Sequence, residues 1–270
     1  MTDPAPLGDR MKAYEAAART VHPRRTYTII RVDGRAFHTY MRRCARPFDE
    51  TFMADLDRVA EALCGEVSGA VFAYTQSDEI SVLAVDFAAA GTEPWFGGVV
   101  AKQVSVAASV ATAELNARRP DHGRALFDAR AFTVPDAVEV ANYFVWRQRD
   151  AVRNSISMAA QARFSAKRLH RVDTVGMREL LRTEAGIDWD DYPDACKRGR
   201  VTMRQSGERE TTWTDKRTGE TRTSVALRTW WTTEAAPPFT AEPGGWLHRV
   251  IPARPADSAP TPEPDSSPTA

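Results

Sequence analysis

The sequence predicts an α+β protein with a ferredoxin-like (βαββαβ) core, and three observations carry that expectation. Four runs rich in β-branched, aliphatic and aromatic residues lie at 26–32, 71–74, 80–87 and 128–134. Helix-forming stretches fill 49–65 and 99–115 between them, and only the short polar stretch from Thr75 to Glu79, suited to a hairpin, joins the two middle runs. Read in order, this gives strand, helix, strand, strand, helix, strand, with both helices on one face of the sheet. Nucleotide-polymerase palm domains share that layout, but a scaffold does not by itself fix a function.

Each element has its own justification. A short helix at 8–20 precedes the first strand, which runs straight into Asp33-Gly34. In 49–65 the apolar residues Phe52, Leu56, Val59, Ala60 and Leu63 recur at helical spacing until Gly65 stops the stripe. Ala, Val and Ser dominate 99–115, small side chains that let a helix lie close against a sheet. Asp136, following Pro135, can cap a long helix that reaches residue 170. Beyond it 175–183 is helical, and a loop carries Trp189, Tyr192 and Pro193. Strands are expected at 200–204, 210–215 and 220–231, with Arg217-Thr218-Gly219 turning the last pair. The domain organisation is then a palm-like core with its long helix at 1–170, a small C-terminal helical and β appendage at 171–250, and a disordered tail at 251–270. That tail is too poor in apolar residues to offset its ordering entropy.

A chain of 270 residues, 43% apolar and 27% charged, can bury one substantial core. No apolar run approaches the ~20 residues needed to cross a bilayer, so a helical membrane protein is excluded. The first residues hold no basic patch leading into an apolar stretch, and a cytoplasmic location is expected. Cys44, Cys64 and Cys196 are few, odd in number and far apart, as befits reduced thiols. The formal net charge of zero counts mildly against nucleic-acid binding. Distribution matters more: the last twenty residues carry Arg254 against Asp257, Glu263 and Asp265, net −2, which leaves +2 on the rest. Clusters at Arg42, Arg43 and Arg46, at Arg147, Arg149 and Arg153, and at Lys197, Arg198 and Arg200 suit either solvated surface or a polyanion contact.

A strand ending in Asp33 and a hairpin tip bearing Asp78 and Glu79 bring carboxylates together if the two strands are neighbours. Nucleotidyl transfer needs such a group, because hard oxygen ligands hold Mg²⁺ while leaving coordination sites open for triphosphate oxygens. Gly34 exposes its backbone, and its carbonyl is a further candidate ligand. Spacing alone leaves a second reading open, that these acids simply form turns. Arg147, Asp150, Arg153 and Asn154 fall at helical spacing, and serve equally as a phosphate-holding face or as an intrahelical ion pair. Trp230-Trp231 is expected to pack the appendage rather than to stack on bases.

The paired segments Arg31-Val32-Asp33-Gly34-Arg35-Ala36-Phe37-His38 and Ala73-Tyr74-Thr75-Gln76-Ser77-Asp78-Glu79 resemble the signature of the tRNA-His guanylyltransferase family. The similarity continues through Arg46-Pro47, Trp95-Phe96, Lys102, Phe127-Asp128-Ala129-Arg130 and Trp146-Arg147-Gln148, covering residues 25–205. It implies metal binding, two Mg²⁺ ions, at Asp33, Gly34 and Asp78, with Glu79 a weaker catalytic candidate. It further implies that Arg31, Arg35, Phe37, His38, Arg46, Ser77 and Lys102 serve ATP, GTP or another nucleoside triphosphate. RNA contact is implied for Arg130, Arg147, Arg153, Asn154, Lys197 and Arg198, and the assembly implied is a homotetramer.

Two departures qualify the likeness. Val152-Arg153-Asn154-Ser155-Ile156-Ser157-Met158 keeps only Asn154 of the eukaryotic His-Ile-Asn-Asn-Leu-Tyr-Asn segment. In that respect the chain resembles the guanylyltransferase-like branch, which repairs 5′-truncated tRNA by templated addition. Val99 stands where the eukaryotic pattern has a basic residue. The activity implied is ATP-dependent activation of a tRNA 5′ end followed by 3′-to-5′ nucleotide addition. The alternatives are a palm-type nucleotidyl cyclase and a catalytically idle tRNA-binding module.

Overall fold

The first strand, β1 (Tyr27–Gly34), is apolar on both faces, and the fold explains why. The computed structural model describes residues 6–240 and 242–254. After helix α1 (Leu7–Ala17) come β1, a one-turn helix α2 (Phe37–Tyr40), helix α3 (Glu50–Glu66), strands β2 (Ala70–Gln76) and β3 (Glu79–Val85), helix α4 (Val100–Arg118) and strand β4 (Phe127–Val134). Then follow helices α5 (Ala137–Gln161), α6 (Thr174–Glu184) and α7 (Asp194–Arg198), strands β5 (Arg200–Thr214) and β6 (Thr221–Ala235), and helix α8 (Trp246–Val250). The strands form one antiparallel sheet in the order β4-β1-β3-β2-β5-β6. Its first four strands are the expected ferredoxin-like arrangement.

Ile30 and Val32 of β1, with Ile80 and Val82 of β3, pack against Leu56, Val59 and Leu63 of α3 and Ala107, Ala111 and Leu115 of α4. The alternate residues Tyr27, Ile29, Leu83 and Val85 pack against Val140, Tyr143 and Phe144 of α5 on the other face. Both pleats of the central strands are therefore buried, which the period-2 geometry of a strand translates into near-continuous apolar runs. Asp49 caps α3 by accepting from Phe52 N, and Asp136 caps α5 by accepting from Glu139 N, each as an N-cap carboxylate does.

The structure differs from the sequence reading in several places. The long helix stops at Gln161 rather than 170. There the chain turns, Ser165 Oγ accepts from Arg168 N, and Leu169 returns to a small core with Ile156, Leu181 and Trp189. The three C-terminal strands are two. Ser206 and Gly207, read as a break, stay paired with Thr229 and Arg228 inside a continuous hairpin. β5 also joins the palm sheet, pairing with β2 from Phe72↔Met203 to Thr75↔Arg200. Ile251 is buried and Pro252 O accepts from the Tyr27 hydroxyl at 2.7 Å, so the chain packs to that point. The expected disorder of residues 255–270 lies outside the described residues.

Candidate active site

β1 and β3 run antiparallel with Asp33 opposite Glu79, so the end of one strand meets the start of the other. Gln76 pairs with Glu79 as well, which leaves Ser77-Asp78 as a two-residue turn with Ser77 at φ 48°. The expected polar connection is thus shorter, because Thr75, Gln76 and Glu79 belong to the strands. Asp78 hangs over Gly34: a Cβ on Gly34 would lie 2.7 Å from Asp78 Oδ2 and 2.5 Å from Cγ of the Phe37 ring. Only glycine fits this close approach.

The electrostatics are those of an uncompensated pair of acids. Burial, with the charge of Asp33 adding to it, pushes the Asp78 carboxyl up to about 6 despite a hydrogen bond from Ser77 Oγ at 2.9 Å. Among the described residues neither Asp33 nor Asp78 has a salt-bridge partner. Asp33 faces Asp128 across β4 as well as Glu79 across β3, so one rung of the sheet holds three acids. Two carboxylates without a salt-bridge partner among the described residues, beside the partly buried Gly34, are hard-oxygen donors of the kind that suit a divalent ion such as Mg²⁺.

Glu79 behaves differently from its neighbour. It is buried and takes a bidentate pair from Arg147, Nε to Oε1 at 2.8 Å and a second guanidinium nitrogen to Oε2 at 2.7 Å, with Arg31 Nε 3.8 Å from Oε2. Both of its oxygens are committed, so Glu79 fixes the start of β3 against α5. Arg147, expected to face RNA, is likewise buried, holding Glu79 and, at 3.2 Å, Asp150.

The other expected residues divide by exposure. Arg35, His38 and Arg46 are exposed on the segment after β1, and Arg130, Arg153 and Asn154 are exposed too. Phe37 is instead buried under Gly34 among Tyr40, Phe52 and Phe127, with ring centroids at 4.8, 6.2 and 5.0 Å, so it packs the site floor. Lys197 is buried, donating to Asp190 O at 2.5 Å and pairing with Asp194 at 3.3 Å; Arg198, half-buried, also pairs with Asp194. Lys102 is exposed, but at the far end of the sheet. β3 runs away from the acids, so α4 begins where β1 begins, with Val100 N bonded to Thr20 O and Gln103 beside Thr28. Within one chain its ammonium and the α4 N-terminus lie away from Asp33.

A cleft opens beside Ser77 of the Ser77-Asp78 turn. Phe48, Phe52, Met53 and Met158 supply apolar walls, while Gln76, Ser77, Asn154 and Arg200 supply polar groups. Buried Gln76 Oε1 has no hydrogen-bond partner among the described residues. The sequence reading missed Gln76 and Arg200 as cleft residues. Arg200 pairs with Asp57, which lies 143 positions away, and no local pattern signals such a contact.

Comparison with known proteins agrees with this geometry. The pattern of the tRNAHis guanylyltransferase family (Thg1) matches residues 8–135. A bacterial tRNA(His) guanylyltransferase (Thg1)-like protein solved in complex with ATP superposes with a TM-score of 0.72 at 41% identity, over 82% of this chain and 91% of that one. Such a protein solved with GTP gives 0.70 at 37% identity, over 86% and 93%. The tRNA(His) guanylyltransferase of Schizosaccharomyces pombe is 24% identical over 77% of this chain and 84% of its own length. A palm sheet whose hairpin turn sets Asp78 over Gly34, at the end of the strand that carries Asp33, thus occurs in a chain that belongs to the tRNA-His guanylyltransferase family, as a nucleotidyltransferase acting on tRNA.

Proposed function

We propose that this nucleotidyltransferase adds nucleotides to the 5′ end of tRNA in the 3′-to-5′ direction, with Asp33, Asp78 and the Gly34 carbonyl holding two Mg²⁺ ions. One observation carries this reading: Asp78 is crowded over Gly34 and feels the charge of Asp33, and among the described residues neither acid has a salt-bridge partner. Bound Mg²⁺ would supply charge neutralisation for triphosphate oxygens and activation of an attacking hydroxyl.

The chain's own groups do the rest. Ser77 Oγ orients Asp78, and the Arg147–Glu79 pair holds the strand that follows it. The cleft beside Ser77 takes a nucleotide base between Phe48, Phe52 and Met158. Relatives solved with ATP and with GTP support nucleotide binding here. Exposed Arg35, His38 and Arg46 are placed to meet the phosphates.

The reaction runs in three steps. A 5′-phosphate oxygen of tRNA attacks the α-phosphorus of ATP, and pyrophosphate leaves. The 3′-hydroxyl of an incoming nucleoside triphosphate attacks the activated 5′-phosphorus, loses its proton, and AMP leaves. Hydrolysis then removes pyrophosphate from the new 5′ end. Assembly as a homotetramer is part of the proposal: α1 buries none of its eleven residues, exposing Leu7, Met11 and Tyr14, and so short a helix is marginal without a partner.

The test incubates the protein with Mg²⁺, ATP, all four nucleoside triphosphates and two 5′-monophosphorylated RNAs, a tRNA lacking its first nucleotide and tRNA-His without its extra guanosine. Templated extension of the truncated RNA establishes repair. Extension of tRNA-His alone establishes single guanosine addition, and no incorporation into either overturns the proposal.

A further inference from the structure

Between the end of β1 and the cap of α3 the chain leaves the sheet. Arg35 N still bonds to Leu126 O at 2.8 Å, and the Asp49 carboxylate accepts from Ala45 N at 2.9 Å. The residues between them form only α2 and a 3₁₀ turn at Met41–Arg43, each too short to hold its own shape. Among the described residues, every hydrogen bond that leaves residues 36–44 goes to His122, in the loop between α4 and β4.

These contacts fix the state of the imidazole. His122 Nε2 lies 3.1 Å from Tyr40 O, and a carbonyl only accepts, so this nitrogen carries the hydrogen. Nδ1 is then the acceptor, and it faces the Arg119 guanidinium at 3.5 Å. Cys44 Sγ lies 3.6 Å from the same Nε2, Arg43 donates to His122 O at 3.5 Å, and the ring leans on Tyr40 with centroids 4.5 Å apart. Behind His122 the loop is tied down. Asn116 of α4 donates to Ala125 O and accepts from Ala125 N, both at 2.9 Å, and Arg119 pairs with Asp55 of α3 at 3.8 Å. Inward from His122, Tyr40 stacks on Phe37 at 4.8 Å, and Phe37 fills the space beside Gly34. Outward, the same stretch carries exposed Arg35, His38 and Arg46, and its Met41 and Phe48 wall the cleft beside Ser77.

We propose that His122 is a positioning residue for nucleotide binding. It acts through Tyr40 and Cys44, holding residues 36–44 in the arrangement that presents the phosphate-meeting side chains and the cleft wall. Without that hold the segment samples other arrangements, and apparent nucleotide affinity falls with the fraction that stays competent. Turnover at saturation is spared, because bound nucleotide restores the arrangement and the acids stand on β1 and the β2-β3 turn. The inference rests on the reading that this segment meets the nucleotide.

The test measures nucleotide addition to a truncated tRNA that already carries a 5′-triphosphate, so that one nucleotide binds per addition. The proteins are the wild type, His122→Ala, His122→Gln, Arg35→Ala/Arg46→Ala and Tyr27→Phe. A glutamine amide can donate to Tyr40 O in place of Nε2. Tyr27→Phe removes a 2.7 Å hydrogen bond at the opposite end of β1, a comparable loss of stability away from the segment. His122→Ala is expected to raise KM for the nucleoside triphosphate about tenfold, as loss of roughly one hydrogen bond from the competent arrangement implies, with kcat within about twofold. His122→Gln should recover most of the loss, Tyr27→Phe should lower Tm with KM unchanged, and tRNA affinity should be the same in all. An unchanged KM in His122→Ala beside a raised KM in the double arginine variant overturns the proposal. So does an equal KM rise in Tyr27→Phe, which would trace the effect to general loosening, and so does a His122→Gln variant as weak as His122→Ala. An unchanged KM in the arginine variant would instead refute the reading of the segment itself, and the proposal with it.

Discussion

Arg147→Met tests how the catalytic hairpin is held. The substitution removes two charge-assisted bonds of 2.8 and 2.7 Å from Glu79, whose side chain is 8% exposed. Arg31, 3.8 Å away, is the cation left nearby. An uncompensated buried carboxylate costs about 3–5 kcal/mol, which in a chain of this size lowers Tm by roughly 6–20 °C. Glu79→Met should cost less, because Arg147 keeps Asp150 at 3.2 Å and stacks on Trp146 at 4.5 Å. The double variant, with apolar groups in both places, should return to within about 1–2 kcal/mol of the wild type. Urea unfolding followed by circular dichroism, with equal m-values, reads all four free energies. If Arg147→Met loses under about 1 kcal/mol, or the two losses simply add, the pair does not hold the hairpin as described.

Further predictions concern the acids, the glycine and the thiols. Because Asp78 binds its proton more tightly in the folded state, its contribution without divalent ions is greatest below pH 4 and is lost as pH rises to about 6. The loss amounts to about 3 kcal/mol from the difference between 6 and 3.8. Asp78→Asn should flatten that part of the pH–stability curve in EDTA, and Mg²⁺ should stabilise the wild type, but not the variant, above pH 6. Gly34→Ala drives a methyl into Phe37 and the Asp78 carboxylate, and should cost about 1–3 kcal/mol in thermal unfolding and abolish nucleotide addition. Burial pushes the Cys64 thiol far up, so in the native protein it should resist a maleimide that labels the less buried Cys196; equal labelling would contradict the packing.

The palm was legible because its strands and helices are locally consistent. Apolar spacing in α3, the small residues of α4 and the capping Asp136 each point to the element that forms. Asp33 and Asp78 were legible for the same reason, since a strand end and a hairpin tip are local features that pairing brings together. What stayed hidden depends on contacts distant in sequence. Glu79 and Arg147 are 68 positions apart, so nothing local shows that each neutralises the other. The place of Lys102 follows from chain direction, which spacing does not encode. Phe37 and Lys197 enter the sequence reading as motif members, and their burial, in the aromatic cluster and against the Asp190 carbonyl, shows only in the fold. The third-layer position of α5 also lay beyond a reading that followed one strand or helix at a time.

The central claim is that Asp33 and Asp78 together hold the ions for nucleotidyl transfer. Single-turnover incorporation of labelled nucleotide into a 5′-truncated tRNA, across a Mg²⁺ titration, tests it directly with the wild type, Asp33→Asn and Asp78→Asn. The account predicts ion-dependent product from the wild type and none from either variant at any Mg²⁺ concentration, with tRNA affinity unchanged. Product from Asp78→Asn at a rate within tenfold of the wild type, with the same dependence on Mg²⁺, would contradict it.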